Sequence, residues 1–356
     1  MAMPDLSRGT IPRLVRGPLS LKEYWYIAAE SKELDSKPLP RVVLGERLVL
    51  FRDQNGRPSA LEDRCAHRNI ALSEGKVENG NLRCRYHGWT YDATGTCVRV
   101  PALGEDCKLP RKACVRSYPT LESQGFVWIY PGAGQPPAEP PKFGGRGEAG
   151  WTSFTMRNLF EGTVEACMEN FLDCPHTVYV HRGWFRTSDP RPLKAVVERS
   201  PDSVTAVFEN EPISDSVVSR LLFPKNKELR HTDRFTLPSM SRVDYRFDVD
   251  RHFIISSWCT PAEDETHTRV YTVVSFRFGS IGALVRLFFE PLCRVIIAQD
   301  VEVIKAQQDN ISRFSGPRFT HLDSDLLGPH ITALRAAKAR GESLPETKGE
   351  PVEIRF

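Results

Sequence analysis

The sequence predicts an α+β protein of two units, a small N-terminal β-domain and a C-terminal domain built on an antiparallel sheet with a long helix. Three observations predict it. Short alternating runs with frequent turn residues fill the first third, a Pro- and Gly-rich segment interrupts the chain at 131–150, and beyond it strands follow in series before a long helical pattern begins. A length of 356 residues suits two domains, which we divide at 22–135 and 136–356.

The first unit reads as β structure throughout. Arg41–Arg52 (RVVLGERLVLFR) sets a Gly-containing turn between two β-branched runs, and Asn55-Gly56 supplies the next turn. Short strands are expected at Leu82–Cys84, Trp89–Tyr91, Val98–Val100 and Phe126–Tyr130, with turns at Asn79-Gly80 and Thr94-Gly95. Pro131–Gly150 reads as a linker or long crossing loop. In the second unit strands are expected at Thr152–Phe160, Ala195–Arg199, Ser203–Glu209, Asp233–Leu237, Arg242–Asp248, Phe253–Thr260 and Arg269–Phe278. Helical patterns cover Val164–Asp173 and the stretch from Ile281 onward, where Ile281, Leu284, Val285, Phe288 and Phe289 form a core-like stripe. Ala333–Gly349 reads as a solvated helix with a loose end.

Composition narrows the function classes. A net charge of +3 without clustered Lys and Arg gives no support to nucleic-acid binding, though it suits docking of an acidic electron-transfer partner. No run of 18 apolar residues exists to span a membrane, and the first residues lack a signal-peptide apolar core. Nine cysteines without regular spacing do not form a disulfide framework; reduced thiols and a cytoplasmic location fit them better.

The strongest chemical signal is Cys65-Ala66-His67, sixteen residues, then Cys84-Arg85-Tyr86-His87. Each half offers one thiolate and one imidazole at close spacing on a loop between short strands. A Rieske [2Fe–2S] cluster takes this set, with two Cys on one iron and two His on the other. Zinc also takes two Cys and two His, but its fingers usually put two Cys in one half and two His in the other.

At these residues the chain resembles a known family. CAHRNIALSEGKVENGNLRCRYHGWTYDATG is similar to the Rieske domain of ring-hydroxylating and O-demethylating oxygenases. The resemblance implies that Cys65 and Cys84 bind one iron of the cluster, and His67 and His87 the other.

A second constellation lies between Glu169 and His181, where two His, an Asp and an Asn fall within thirteen residues. Non-haem Fe(II) oxygenases use two His and one carboxylate, leaving positions open for O2 and substrate. On a straight helix His176 and His181 point about 140° apart. Their convergence needs a break, and Pro175 stands at the right place for it. The run N-F-L-D-x-x-H-x4-H resembles the iron-ligand signature of the same family. It implies His176 and His181 as mononuclear iron ligands, Asp173 as the residue bridging to the cluster of a neighbouring subunit, and Asn170 as a supporting position.

The carboxylate ligand must come from elsewhere. From Pro291 the run PLCRVIIAQDVEVIKAQQDN reads as a helix with Pro in its first turn. At 100° per residue Asp300 falls on the stripe of Leu292, Ile296, Val303 and Gln307, whereas Glu302 and Asp309 point away. An acid on a core-facing stripe is costly unless paired or metal-bound. QDVEVIKAQQ also resembles the family segment that supplies the third ligand, so Asp300 is the expected one.

The resemblance runs from about Trp25 to Gln308 and implies a Rieske domain followed by a helix-grip catalytic domain. In its modest length the chain resembles single-subunit-type oxygenases such as vanillate and dicamba O-demethylases, which assemble as head-to-tail homotrimers. The resemblance implies a [2Fe–2S] cluster, a mononuclear Fe(II), and a flavin/iron–sulfur reductase or ferredoxin passing electrons from NAD(P)H. The expected reaction is O2-dependent hydroxylation or oxidative O- or N-demethylation of a small aromatic or polycyclic substrate. The alternative is a Rieske electron-transfer protein without oxygenase activity. Pocket residues scatter over several strands, so the substrate is not legible.

Overall fold

The computed structural model describes residues 21–104, 112–182, 192–209, 211, 229–247 and 251–355. The expected strand end at Asp248 lies outside them, as does Cys107. The N-terminal unit comprises β1 (Tyr26–Glu30), β2 (Leu39–Val43), β3 (Glu46–Arg52), β4 (Pro58–Glu62), β5 (Lys76–Glu78), β6 (Asn81–Arg83), β7 (Thr90–Tyr91), β8 (Cys97–Arg99), β9 (Ser117–Tyr118), β10 (Thr120–Ser123) and β11 (Phe126–Ile129). They form three antiparallel sheets in the orders β1-β11-β10, β2-β3-β4-β9 and β5-β6-β7-β8. Alternating residues such as Val49, Phe51 and Leu61 face one core, while Leu48, Leu50 and Ala60 face another.

The C-terminal unit is one nine-stranded antiparallel sheet with helices on one face. Its strands are β12 (Thr152–Glu161), β13 (Pro192–Arg199), β14 (Ser203–Glu209), β15 (Arg230–Thr236), β16 (Met240–Arg246), β17 (His252–Pro261), β18 (His267–Arg277), β19 (Thr347–Lys348) and β20 (Val352–Arg355). The order is β12-β18-β17-β16-β15-β14-β13-β19, with β20 also on β13. The helices are α1 (Val164–Leu172), α2 (His176–Val180), α3 (Gly282–Arg313) and α4 (Gly328–Ala339). Thr163 caps α1, its Oγ1 accepting the Ala166 N–H at 3.1 Å. The two units meet over aromatic side chains: Trp25, Phe126 and Trp128 pack with Trp258 and Tyr271 of the large sheet.

Three expectations about the C-terminal half need correction. Helix α3 begins at Gly282, so Pro291 lies in its interior rather than its first turn. Its buried face is Phe289, Cys293, Ile296, Ile297, Asp300 and Ile304, whereas Val303 and Gln307 are exposed. Asp300 is on the buried face as expected, with Ile296 and the partly buried Leu292 of the expected stripe, but with Ile297 and Ile304 in place of Val303 and Gln307. Ile281, Leu284 and Phe288 are exposed and are not core. The tail is not a solvated helix, although 340–346 just beyond it is mostly exposed and irregular. Helix α4 buries Ile331, Leu334 and Arg335, the last donating to Glu165 Oε1 of α1 at 2.6 Å, and β19 and β20 extend the sheet beyond it. Its many charges misled a reading based on composition, because a paired arginine can be buried.

Candidate metal centres

The two cysteine loops fold alike. The Cys65 N–H donates to the Ile70 carbonyl and the Asn69 N–H to the Cys65 carbonyl; the Cys84 N–H donates to the Trp89 carbonyl and the Gly88 N–H to the Cys84 carbonyl. In each loop the fourth residue after the cysteine has positive φ, 59° at Asn69 and 71° at Gly88. Asn and Gly are the residues that tolerate this geometry. A Cβ on Gly88 would also come within 2.9 Å of Pro101 Cγ.

The loops bury Cys65 and Cys84 and bring the His67 and His87 rings to 4.5 Å. The His67 ring stacks on Trp89, 4.7 Å away and 3° from parallel. Burial and the neighbouring His87 lower the pKa of His67, favouring the neutral imidazole that a metal needs. His67 Nδ1 is buried without a hydrogen-bond partner. An orphaned imidazole nitrogen beside two buried thiols fits a metal cluster better than a closed core. The Tyr91 hydroxyl lies 3.3 Å from Cys65 Sγ and accepts the Ala66 N–H at 3.1 Å. Sequence reasoning gave Tyr91 no role, although it stands in the quoted run.

The second centre depends on a break between helices. Helix α1 ends at Leu172, Asp173 caps it in an extended conformation, and α2 begins at His176. This turn brings His176 and His181 together, with Nε2 atoms 3.3 Å apart. Helix α3 adds Asp300, whose Oδ1 is 3.1 Å from His181 Nε2 and 3.6 Å from His176 Nε2.

Proton placement tests whether these residues suit a metal. His181 Nδ1–H donates to Gln299 Oε1 at 2.8 Å, and His176 Nδ1–H donates to the Asp173 carbonyl. Each ring's proton is thereby held on Nδ1. Both Nε2 lone pairs point into the same small space, and Asp300 Oδ1 accepts no well-aligned hydrogen bond there. With both imidazoles neutral, three lone pairs converge on one space and call for a cation. Burial works against a charged His181, but Asp300 outweighs it and raises its pKa, so a proton can take the place that a metal ion would fill. Two His and one carboxylate, with the histidines oriented from behind, suit non-haem iron.

Asp173 Oδ2 lies 3.8 Å from His176 Nδ1, and burial raises its carboxyl pKa against the opposing pull of His176. Asn170 is at the end of α1 with its side-chain carbonyl buried and unpartnered; no hydrogen bond joins that carbonyl to the histidines. Sequence reasoning missed Gln299, although it adjoins Asp300. Nothing in the sequence singled out His231 or Cys174, which the structure joins through Asp233 beside the second centre.

Comparison with known proteins follows the same division. Residues 24–119 match the model of the Rieske [2Fe-2S] domain, and residues 160–340 match the vanillate O-demethylase oxygenase C-terminal domain. The chain is 32% identical to the putative toluene-4-sulfonate monooxygenase system iron-sulfur subunit TsaM2 of Comamonas testosteroni, over 63% of this chain and 66% of that one. It is 37% identical to the dicamba O-demethylase oxygenase component of Stenotrophomonas maltophilia, over 46% and 48%. The matches thus span about two thirds or less of these relatives' lengths. Among solved structures, dicamba monooxygenase bound to dicamba superposes with a TM-score of 0.74 at 24% identity, covering 90% of this chain and 98% of that one. Another structure of that protein, solved with non-heme iron and dicamba, gives 0.73.

Proposed function

We infer, from the premise that this chain belongs to the Rieske non-haem iron oxygenases with a vanillate O-demethylase-type C-terminal domain, that it is the terminal oxygenase of a multicomponent system. Its reaction is hydroxylation or oxidative O- or N-demethylation of a small aromatic or polycyclic substrate, using O2 and NAD(P)H-derived electrons from a reductase or ferredoxin. The observation that carries this reading is the convergence of His176, His181 and Asp300 ligand atoms on one space. A pure electron carrier has no use for such a set, so this observation also weighs against the alternative.

Cys65, His67, Cys84 and His87 would hold the cluster, and His176, His181 and Asp300 the mononuclear iron. When bound, the cluster supplies single electrons and the iron supplies O2 activation for insertion into a C–H bond, with loss of formaldehyde where that carbon is a methyl on O or N. Gln299 and the Asp173 carbonyl hold Nδ1 of each histidine and so turn Nε2 toward the metal position. Asp173 serves as the bridge to a neighbouring cluster, with Asn170 supporting it. Exposure of His87 and of Tyr86 beside it, and an acidic pocket lined by Glu169, Asp173 and Asp325, support a head-to-tail homotrimer. The domain division is 22–135 and 136–356. Among the described residues no disulfide joins the eight cysteines and no helix is long and apolar enough to cross a membrane. Nine cysteines without a disulfide spacing pattern support a cytoplasmic location.

The test is iron content with the visible spectrum. Wild type should carry about three irons per chain, from one [2Fe–2S] cluster and one mononuclear ion. His176→Ala, His181→Ala or Asp300→Ala should fall to about two with the Rieske spectrum intact. His67→Ala or Cys84→Ala should lose that spectrum and all substrate-dependent NADH and O2 consumption. An Asp300→Ala variant with unchanged iron and activity would move the carboxylate role to another residue.

A further inference from the structure

A second set of ligand-type side chains converges on the helix-facing side of the large sheet. Cys174 Sγ–H donates to Asp233 Oδ2 at 3.1 Å, Asp233 Oδ1 lies 2.9 Å from His231 Nε2, and Glu211 Oε2 lies 2.5 Å from His231 Nδ1. Cys174, His231 and Asp233 are all buried. Strand register puts Phe208 and Tyr245 directly opposite His231, and their rings sandwich it at 4.3 and 4.2 Å.

Thiol, imidazole and carboxylate are ligands that zinc accepts. The arrangement of protons argues otherwise. At His176, His181 and Asp300, three ligand atoms converge on one space. Here each contact pairs a donor with an acceptor: S–H with Oδ2, and the two imidazole N–H groups with Asp233 and Glu211. Burial works against a charged His231, but the two carboxylates outweigh it and push its pKa up to about 9, so both ring nitrogens carry protons at neutral pH. This set is complete without an ion.

Its position gives it a use. Cys174 is in the three-residue break between α1 and α2, where no helical ladder holds the chain. The Cys174 carbonyl accepts both the N–H and the Oγ1–H of Thr177, in the first turn of α2. Its thiol is tied to β15 through Asp233. The residue before it is Asp173, and two residues after it is His176. We propose that His231, Asp233 and Cys174 form a positioning relay that fixes the Asp173–His176 turn against the sheet and so sets the geometry of the mononuclear iron site. The proposal rests on the reading that His176, His181 and Asp300 hold iron.

The experiment uses the full chain with its Rieske cluster intact, stripped of mononuclear iron by a chelator and titrated with Co(II), whose visible bands report coordination geometry. Cys174→Ala and Asp233→Asn should weaken Co(II) binding by about 10- to 100-fold and shift its bands while leaving the Rieske spectrum unchanged. Cys174→Ser retains a donor and should restore binding to within about threefold of wild type, a rescue that mere packing at this site does not predict. If Asp233→Asn does not fold, the Cys174→Ala and Cys174→Ser pair decides alone. Wild-type affinity and bands in Cys174→Ala would overturn the relay while leaving the iron reading intact. Wild-type protein that binds no Co(II), or binds it equally well with His176→Ala, would overturn the iron reading and the relay with it. A further tightly bound metal, lost in Asp233→Asn but kept in His176→Ala, would replace the relay with a metal site.

Discussion

Fully buried between two aromatic rings, the imidazole of His231 touches Glu211 on one nitrogen and Asp233 on the other, with the Cys174 thiol beyond Asp233. Its folded pKa, about 9, lies above the ordinary value of 6.5. Below about pH 6.5 the group is protonated in both folded and unfolded chains, and its contribution to stability is complete. As pH rises through 9 the folded state must give up the proton, and that contribution disappears. Unfolding free energies from urea titrations should therefore fall between about pH 6.5 and 9, by at most about 3–4 kcal/mol from this group. His231→Gln should remove that part of the slope; a wild-type profile flat across this window would contradict a protonated His231. The same residue shows what is legible one residue at a time. Cys65, His67, Cys84, His87, His176 and His181 are readable because metal chemistry requires particular residue types at short spacing. His231 finds Glu211 twenty positions upstream, and Cys174 finds Asp233 fifty-nine downstream. Strand register makes those pairs, and no local pattern announces it.

At the scale of elements, strands with clear alternation were legible to within a few residues, and α1 was legible to within one. Helix α3 was harder. Its proline looks like a start signal, yet the helix runs from Gly282 through Pro291 because Phe289, Cys293 and Ile297 anchor both sides of the proline to the core. Tertiary burial there outweighs the cost of an interior proline. The face that bears Asp300 depends on close approach at one point. A Cβ added to Gly162, between β12 and the Thr163 cap, would lie 2.3 Å from Ile304 Cγ2, one turn beyond Asp300. Gly162→Ala should thus push α3 away from α1, costing about 1–3 kcal/mol of stability. Because Asp300 moves with the helix while both histidines stay on α1–α2, mononuclear iron should dissociate faster from this variant than cluster iron. Chelator-release kinetics followed by iron analysis check this. Equal loss from both centres would point to general destabilisation instead.

For the whole molecule, the question is how a cluster held by one unit reaches an ion held by the other. Within one chain the two centres sit in separate hydrophobic clusters, Cys65 and Cys84 in one and the residues around His176 in another, with the aromatic cluster of Trp25, Trp128 and Trp258 forming a third. His87 and Tyr86 face outward, and the pocket holding Asp173 is open to the surface beside His321 and Asp325. In the proposed head-to-tail assembly these two features, on different parts of the same surface, would meet between copies. Asp173→Asn keeps both metal sites but removes the bridge, while Cys84→Ala keeps the bridge but removes the cluster, so each homogeneous assembly should be inactive. In rings reassembled from equal amounts of both chains, a directed junction is productive only when an Asp173→Asn chain presents its cluster to a Cys84→Ala chain. Random mixing makes this about one junction in four, whatever the ring size. Substrate-dependent O2 uptake by the whole reassembled population, shown by native mass spectrometry to contain mixed rings, should therefore return to about a quarter of the wild-type rate. Transfer within a single chain predicts no recovery, because neither chain carries both a cluster and an intact Asp173.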